Sequence, residues 1–360
     1  MISNAEVEYK EALLEVTLLR RQPEMIKIDV GRQLILQVAI WFSLFHITLC
    51  SLQAQEALPS WREGASKKAI VDFVERVTTA GSADFVPPEQ RIAVFDNDGT
   101  LWSEQPMYVQ MAFALDRVKI LAEKKPELLD NKMFKAIVTH DREALKQISE
   151  RDVLELVMET HANMSTAEFD QIVKDWITTA KHPVYKKPYT ECVYVPMLEL
   201  LKYLRAKQFK TFIVSGGGID FMRPWVETVY GVPPEQVIGS SVKLRYELRG
   251  TEPVIMRLPE IDFIDDKSGK PVGIQRHIGR RPILAFGNSD GDYEMLQYTT
   301  SGAKTALGVL IHHTDSKREV AYDRESHFGK LNRGLDDAAT NGWVVVDMQQ
   351  DWEQVFSFQR

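Results

Sequence analysis

The hydrophobic positions along most of the chain alternate between short β-branched runs and longer segments of helical periodicity. From Trp61 onward this alternation is typical of a parallel sheet covered by helices. It predicts a first helix over residues 66–77. The apolar runs that predict strands lie at residues 91–96, 211–215, 282–287, 306–311 and 343–347. We therefore expect an α/β fold in which helices cover both faces of a parallel sheet.

One long helical stretch separates the first predicted strand from the second. Apolar residues such as Met111 and Val118 recur there at helical spacing, and no strand run interrupts them. This is far more chain than a crossover helix needs. Residues 104–190 are therefore predicted to be an inserted helical cap, and residues 56–103 and 191–360 to form the core domain.

A second, smaller insertion covers residues 237–266. Apolar and polar residues alternate from Val242 to Leu248, a turn follows near Gly250, and a second run begins at Val254. Alternation on both sides of a turn predicts a β-hairpin.

The N-terminal region, residues 1–55, carries a targeting signal. The apolar segment 34–50 follows Lys27 and Arg32 and precedes Ala54, a suitable cleavage position. This order predicts a signal peptide and an exported protein, periplasmic or secreted, with no stable membrane association after cleavage. A membrane anchor formed by the same segment is the alternative, although a span needs about 20 apolar residues; a buried helix is a third.

Composition narrows the classes of partner. The formal net charge is −7, whereas nucleic-acid binding normally requires a basic face, so we expect no nucleic-acid partner. The two cysteines, Cys50 and Cys192, form neither a CxxC nor a zinc-finger spacing. We expect no disulfide framework and no structural zinc, and the sequence makes no prediction about oligomeric state.

The segment Asp96-Asn97-Asp98-Gly99-Thr100 directly follows the first predicted strand. Carboxylates two residues apart face the same way on extended backbone, and two anions in one small space call for a cation or a shared proton. Magnesium suits such an oxygen site, and a carboxylate can also act as a nucleophile. An EF-hand loop is excluded because Gly99 is fourth rather than sixth. A plain turn remains the alternative, since these residue types are common in loops.

Two further segments are candidates for phosphate binding. Ser215-Gly216-Gly217-Gly218 follows the second predicted strand and could present a hydroxyl and backbone N–H groups to a phosphate, or simply form a flexible turn. Lys270, with Pro271, opens a helix predicted to end at Gly279, and its ammonium could neutralise a phosphoryl group. Lys267 is a rival for that role.

Taken in order, these segments resemble the haloacid dehalogenase superfamily, and within it the phosphatase branch typified by phosphoserine phosphatase. The four motifs of that family look like residues 96–100, Ser215, Lys270 and the loop Gly287-Asn288-Ser289-Asp290-Gly291-Asp292. The resemblance spans residues 91–310, implies a Rossmann-like core, and matches the long helical insert to the family's cap.

The resemblance also implies roles for individual residues. Asp96 would be the nucleophile, Asp98 the general acid and base, and Ser215 and Lys270 the groups that hold the phosphoryl oxygens, with Gly216 and Gly217 beside them. Mg²⁺ would bind Asp96, the Asp98 carbonyl and a residue of the fourth motif. In this chain the usual aspartate of that motif is Asn288, so Asp292 or Asp290 could supply the missing charge.

The function implied is magnesium-dependent hydrolysis of a small phosphorylated metabolite through an aspartyl phosphate. Phosphoryl transfer to another acceptor, as in phosphomutases, and non-catalytic binding of phosphate or metal are the alternatives. Candidates for choosing the substrate are Glu104, Tyr108 and Arg142, and the charged segment 312–324 is expected to be a solvated loop.

Overall fold

The computed structural model describes residues 57–141, 144, 156, 158–302 and 304–359. The apolar segment 34–50 and Arg142 lie outside these residues. Residues 58–360 belong to one compact unit. In the described part of the chain, none of the helices has the length and apolar character that crossing a bilayer requires.

Helices and strands alternate along the chain as the hydrophobic pattern predicts. The helices whose bounds lie within the described residues are α1 (Ala65–Thr78), α2 (Val109–Lys124), α3 (Lys132–Thr139), α4 (Thr166–Thr179), α5 (Val195–Ala206), α6 (Ile219–Tyr230), α7 (Gly269–His277), α8 (Tyr293–Thr300), α9 (Arg333–Asp337) and α10 (Met348–Asp351). The strands are β1 (Ile92–Phe95), β2 (Met164–Ser165), β3 (Lys210–Gly218), β4 (Val237–Arg249), β5 (Glu252–Phe263), β6 (Leu284–Gly287), β7 (Leu307–His312) and β8 (Val344–Asp347).

The strands form one sheet in the order β2-β5-β4-β3-β1-β6-β7-β8. Neighbouring strands in the run β4-β3-β1-β6-β7-β8 are parallel. Among the described strands, only the β2–β5 and β5–β4 pairs are antiparallel. The α/β fold with a mostly parallel, Rossmann-like sheet is therefore confirmed. Strand β1 lies near the centre, with β3 and β6 as its parallel neighbours.

Two hydrophobic clusters pack against opposite faces of the sheet. Successive side chains of a strand point to opposite faces, so Ala93 and Phe95 enter one cluster while Ile92 and Val94 enter the other. Both neighbours of β1 are buried as well, and the ring of Phe95 stacks on that of Phe286 at 4.8 Å. Because β1 is buried on both faces, the backbone that follows it has a well-defined position.

The helical segment between β1 and α5 has a small core of its own. Ala114 and Val118 of α2 pack against Met133, Phe134 and Ile137 of α3. The sequence pattern shows no strand in this segment, yet β2 pairs antiparallel with β5. A strand of two residues is too short to produce a recognisable alternation of apolar and polar positions.

The predicted hairpin is the pair β4 and β5, joined by a turn at Gly250 with φ of 65°. The first residues of β4 continue the parallel sheet beside β3, with Ile213 paired to Val237 and Val214 to Ile238. The hairpin therefore begins at the same sheet edge as the loops that carry the candidate chemistry.

Candidate active site

Three neighbouring parallel strands end at the same edge of the sheet. Asp96 follows β1, Ser215 lies near the end of β3, and Asn288 follows β6. The strand order β3-β1-β6 therefore brings the first, second and fourth sequence motifs together. This is the position at which open α/β sheets bind ligands.

Lys270 of α7 joins the first motif to the fourth. Its Nζ donates hydrogen bonds to Asp96 Oδ1 at 2.6 Å, to Asp292 Oδ1 at 2.6 Å and to the Val214 carbonyl at 2.9 Å. The side chain of Lys270 is 2% exposed, whereas its rival Lys267 is exposed. Lys270 is therefore the lysine that lies in the candidate site.

The charges around this ammonium do not balance. Burial by itself lowers the pKa of Lys270, but the charges of Asp292 and Asp96 more than offset this, and the pKa lies above its ordinary value. Burial and the charge of Asp292 raise the pKa of Asp96 well above its ordinary range, although Lys270 opposes them. One ammonium does not neutralise two buried carboxylates, so an additional cation at this position would be stabilised.

Asp98 lies beside Asp96 and faces the second motif. Trp102 Nε1 donates to Asp98 Oδ1 at 2.9 Å. A Cβ placed on Gly217 would lie 3.3 Å from Ser215 Oγ and 3.8 Å from Asp98 Oδ2, so these side chains border the same small space. Burial raises the pKa of Asp98 to about 6, which suits a group that gives and takes a proton near neutral pH.

The triple glycine is strand rather than flexible loop. Strand β3 continues through Gly218, with a register irregularity between Ser215 and Gly218, and α6 starts at Ile219. The Gly217 N–H donates to Ser215 Oγ at 3.1 Å and the Gly218 N–H to Gln110 Oε1 at 2.7 Å. The N–H groups of Gly217 and Gly218 thus have partners within the protein, and phosphate binding by Gly216 and Gly217 stays a prediction.

The two carboxylates of the fourth motif, Asp292 and Asp290, accept hydrogen bonds from different partners. Asp292 is fully buried; its Oδ1 accepts from Lys270, and its Oδ2 accepts from the backbone N–H groups of Asn288 and Ser289. Asp290 instead accepts from backbone N–H groups of residues 332–334. Both carboxylates thus already have structural partners.

Asn288 faces a carboxylate that the sequence analysis considered only for substrate choice. Asn288 Nδ2 donates to Glu104 Oε1 at 2.7 Å, and Thr100 Oγ1 donates to Asn288 Oδ1 at 3.0 Å. Glu104 is 2% exposed, and burial raises its pKa well above the ordinary range. Glu104 thus places a carboxyl group directly beside Asn288, the position at which the resemblance implies an aspartate. Three residues separate it from the first motif, and it belongs to no repeating pattern that would assign it a role from the sequence.

The segment after β7 also contacts the first motif. His313, Asp315 and Glu319 are buried, so the expectation of a solvated loop over 312–324 is wrong at these three residues. His313 Nε2 donates to the Gly99 carbonyl at 2.7 Å, and its Nδ1 lies 3.3 Å from Glu319 Oε2. A carbonyl oxygen has no proton to give, so His313 Nε2 is the donor in its contact with Gly99.

The same segment holds Glu104 in place. Tyr322 OH donates to Glu104 Oε1 at 2.6 Å, and its ring stacks on His313 at 4.3 Å. Gly329, with φ of 65°, passes so close that a Cβ there would lie 1.8 Å from Glu104 Oε1. Only glycine fits that approach, so residues from the C-terminal part of the chain pack directly against Glu104.

A cavity of about 480 Å³ opens over these groups. Asp96, Asp98, Glu104, Ser215 and Lys270 line its inner end. This volume lies within the range usual for sites that bind small molecules.

A buried carboxyl group next to this site has no hydrogen-bond partner among the described residues. Asp265 is fully buried, and both of its carboxylate oxygens are unpaired there. Burial raises the pKa of Asp265 to about 7 from an ordinary value of 3.8, against the opposing charge of Lys270. The folded protein therefore binds this proton more tightly than the unfolded chain does.

We expect Asp265→Asn to stabilise the protein at pH 8. Between pH 4 and pH 7 the folded state holds more protons than the unfolded state, so the free energy of unfolding falls as the pH rises and stays lower above pH 7. Removing the titrating group should raise the free energy of unfolding by up to about 4 kcal/mol at pH 8, and by much less at pH 5. Thermal unfolding at both pH values measures this, with the exposed Asp262→Asn as control; a lower Tm for Asp265→Asn at pH 8 would contradict it.

Residues 93–297 match the sequence profile of the haloacid dehalogenase-like hydrolases. Among solved structures, similarity is found to a conserved protein of unknown function from Anaerococcus prevotii, with 18% identity, a TM-score of 0.47, and 69% of this chain and 85% of that chain covered. A protein of unknown function from Bordetella pertussis is 15% identical, with a TM-score of 0.45 and coverage of 72% and 99%. A phosphoserine phosphohydrolase-like protein from Francisella tularensis is 17% identical, with a TM-score of 0.36 and coverage of 69% and 98%. No curated protein sequence matches the chain.

Proposed function

Because the chain belongs to the haloacid dehalogenase-like hydrolase family, we propose that it hydrolyses a small phosphomonoester through an aspartyl phosphate. The observation that carries this proposal is the contact of Lys270 with Asp96, at the inner end of a cavity that Asp98 also lines. A nucleophile held by a buried cation, with a proton donor beside it, is what phosphoryl transfer to a carboxylate requires.

In the first step, Asp96 Oδ2 attacks phosphorus while the bond to the ester oxygen breaks. Asp96 Oδ1 is occupied by Lys270, whereas Oδ2 makes no hydrogen bond within the described residues. Asp98 gives its proton to the departing oxygen, so the organic product leaves as an alcohol. In the second step, Asp98 takes a proton from water, which attacks phosphorus and releases inorganic phosphate and the Asp96 carboxylate.

The donor chemistry of the site fits Mg²⁺. No three Asp, Glu, His or Cys side chains within the described parts of the chain already converge as a metal site. Asp96, the Asp98 carbonyl, Asn288 and Glu104 nevertheless offer only hard oxygen ligands, and the buried carboxylates outnumber Lys270. When bound, Mg²⁺ would supply positive charge to the phosphoryl oxygens and to Asp96.

The test is a panel of phosphomonoesters assayed with and without Mg²⁺. We expect release of inorganic phosphate that depends on Mg²⁺ and is abolished by EDTA. Addition of glycerol as an acceptor separates hydrolysis from phosphotransfer, because a transferase would form glycerol phosphate in place of free phosphate. Binding of phosphate without turnover of any ester would favour the non-catalytic alternative.

We expect Asn288→Asp to tighten Mg²⁺ binding and to destabilise the metal-free protein. Asn288 Nδ2 lies 2.7 Å from Glu104 Oε1, so an aspartate there would bring two carboxyl groups together. Their repulsion should lower the Tm in EDTA, and one added charge should strengthen Mg²⁺ binding by at least about ten-fold. Thermal unfolding against Mg²⁺ concentration measures both effects, with Asn341→Asp as control. An unchanged midpoint in Mg²⁺ would move the ligand role away from residue 288.

We also propose that the protein is exported, on the basis of the apolar segment 34–50 and its flanking charges. The mature chain is then expected to begin near Gln55. Sequencing the N-terminus of protein recovered from an exported fraction tests this. Met25 precedes Lys27 and Arg32 and is a second candidate for the start of translation. An N-terminus at Met1 or Met25 in that fraction would support a membrane anchor instead.

A further inference from the structure

The outer part of the cavity is largely apolar. Beyond the carboxylates its wall is formed by side chains from the helical segment, from α6 and from the hairpin. The apolar members include Met111, Ala114, Leu156, Phe221, Val242 and Ile261. If the phosphoryl group lies against Asp96, the organic part of the ester extends along this apolar surface.

Most polar side chains in the same wall are already paired within the protein. Gln110 Oε1 accepts from the Gly218 N–H, and its Nε2 lies 3.1 Å from His161 Nε2. Ser240 Oγ donates to the Gly216 carbonyl at 2.8 Å. An organic group rich in hydroxyls, such as a sugar, would find few partners for them here.

Arg257 of β5 differs from these side chains because only part of its guanidinium is paired. It lines the cavity although it is only 4% exposed, and its guanidinium lies over the ring of Phe169 at 4.1 Å. Its Nε donates to the His161 carbonyl at 2.6 Å and its Nη1 to Asp220 Oδ2. These contacts orient the guanidinium, while Nη2 has no hydrogen-bond partner among the described residues. Burial lowers the pKa of Arg257 to about 10, which leaves the group charged at neutral pH.

The carboxylate that contacts Arg257 has a second cationic neighbour. Asp220 pairs not only with Arg257 but also with Arg223, whose Nη1 lies 4.0 Å from Asp220 Oδ1. One carboxylate is therefore shared by two guanidinium groups. A ligand group placed beside Arg257 is stabilised if it is an anion and destabilised if it is a cation.

We propose that the organic part of the phosphomonoester is largely apolar and carries a carboxylate or similar oxyanion that pairs with Arg257. This inference rests on the proposed function, because it assumes that phosphate binds beside Asp96. It names the substrate class that the outer cavity selects.

Matched aryl esters test the charge preference. We would measure kcat/KM for phenyl phosphate, 3- and 4-carboxyphenyl phosphate and 4-(aminomethyl)phenyl phosphate, using the full chain with Mg²⁺. Arg257→Gln should lower kcat/KM for the better carboxyphenyl ester by about 10- to 100-fold and leave that for phenyl phosphate within a few-fold. Because each ester is compared between the wild type and the variant, differences in leaving-group reactivity between the esters cancel. Arg249→Gln, an exposed arginine of the same hairpin, is the matched control, and Arg257→Lys should retain part of the preference.

The apolar part is tested with two esters of primary alcohols. We expect a higher kcat/KM for 2-phenylethyl phosphate than for glucose 6-phosphate, and the reverse order would overturn this part of the proposal. An equal loss for phenyl and carboxyphenyl phosphates in Arg257→Gln would show that Arg257 is only structural. Preference for the aminomethyl ester would assign recognition to Asp220 and also overturn the proposal.

A binding measurement separates this inference from the proposed catalysis. Titration calorimetry with phenylphosphonate and 4-carboxyphenylphosphonate requires no turnover. Tighter binding of the carboxylated compound, lost in Arg257→Gln but not in Arg249→Gln, supports the subsite even if no ester is hydrolysed. Equal affinities of the two phosphonates would overturn it. If Arg257→Gln does not fold, Arg257→Lys and the wild-type preference decide the outcome.

Discussion

Replacing Asp96 with asparagine is expected to reduce turnover of every phosphomonoester by at least about a thousand-fold. The amide is a poor nucleophile, and a direct attack by water has no base in the right place. The fold should persist, because Lys270 keeps its hydrogen bonds to Asp292 and to the Val214 carbonyl. Steady-state assays with several esters, together with a thermal unfolding curve, measure both expectations.

The matched control is Asp72→Asn, which removes a half-exposed carboxylate of α1 that does not line the cavity. Its activity should equal that of the wild type. If the folded Asp96→Asn protein retained turnover within about ten-fold of the wild type, Asp96 would not be the nucleophile. Asp98 or Glu104 would then be the next carboxylate to examine.

Replacing Asp98 with asparagine is expected to give a burst followed by a slow steady rate when p-nitrophenyl phosphate is the substrate. Nitrophenolate departs without a proton, so phosphorylation of Asp96 continues. Water attack on the intermediate then lacks its base and should slow by about 100- to 10,000-fold. Asparagine can keep the contact from Trp102 Nε1, which donates to Asp98 Oδ1 at 2.9 Å, so the local geometry is retained.

Stopped-flow absorbance measures the burst, whose amplitude should equal the concentration of active sites. The double variant Asp96→Asn with Asp98→Asn should show no burst, because no intermediate can form. A different role for Asp98, that of shaping the metal site alone, predicts a low rate without a burst that recovers at high Mg²⁺. That result would overturn its assignment as general acid and base.

Much of the fold follows from the sequence because its signals are local. Buried parallel strands are short apolar runs, and residues 91–96 and 282–287 contain β1 and β6 for that reason. The first motif directly follows such a run, so its position at a strand end follows as well. The sequence identifies Lys270 as a candidate for phosphate binding because it opens a helix. Only its burial in the structure distinguishes it from Lys267.

The path of the backbone at the triple glycine was not predictable from the sequence. Glycine allows both a loop and a strand, and β3 continues through Gly218 because Gly218 pairs with Ser240 of β4 while its N–H donates to Gln110. That pairing partner lies outside the segment itself. A tertiary contact, and not the local pattern, therefore decides the structure there.

The sequence by itself determined the α/β alternation, the family and the first carboxylate pair, since each depends on residues that are consecutive or regularly spaced. Only the tertiary structure decided which side chains surround that pair. Glu104 meets Asn288 and Tyr322 across 184 and 218 positions of the chain, and His313 reaches Gly99 across 214. Such contacts leave no periodic signal, because they depend on how separately formed elements pack against the end of β1.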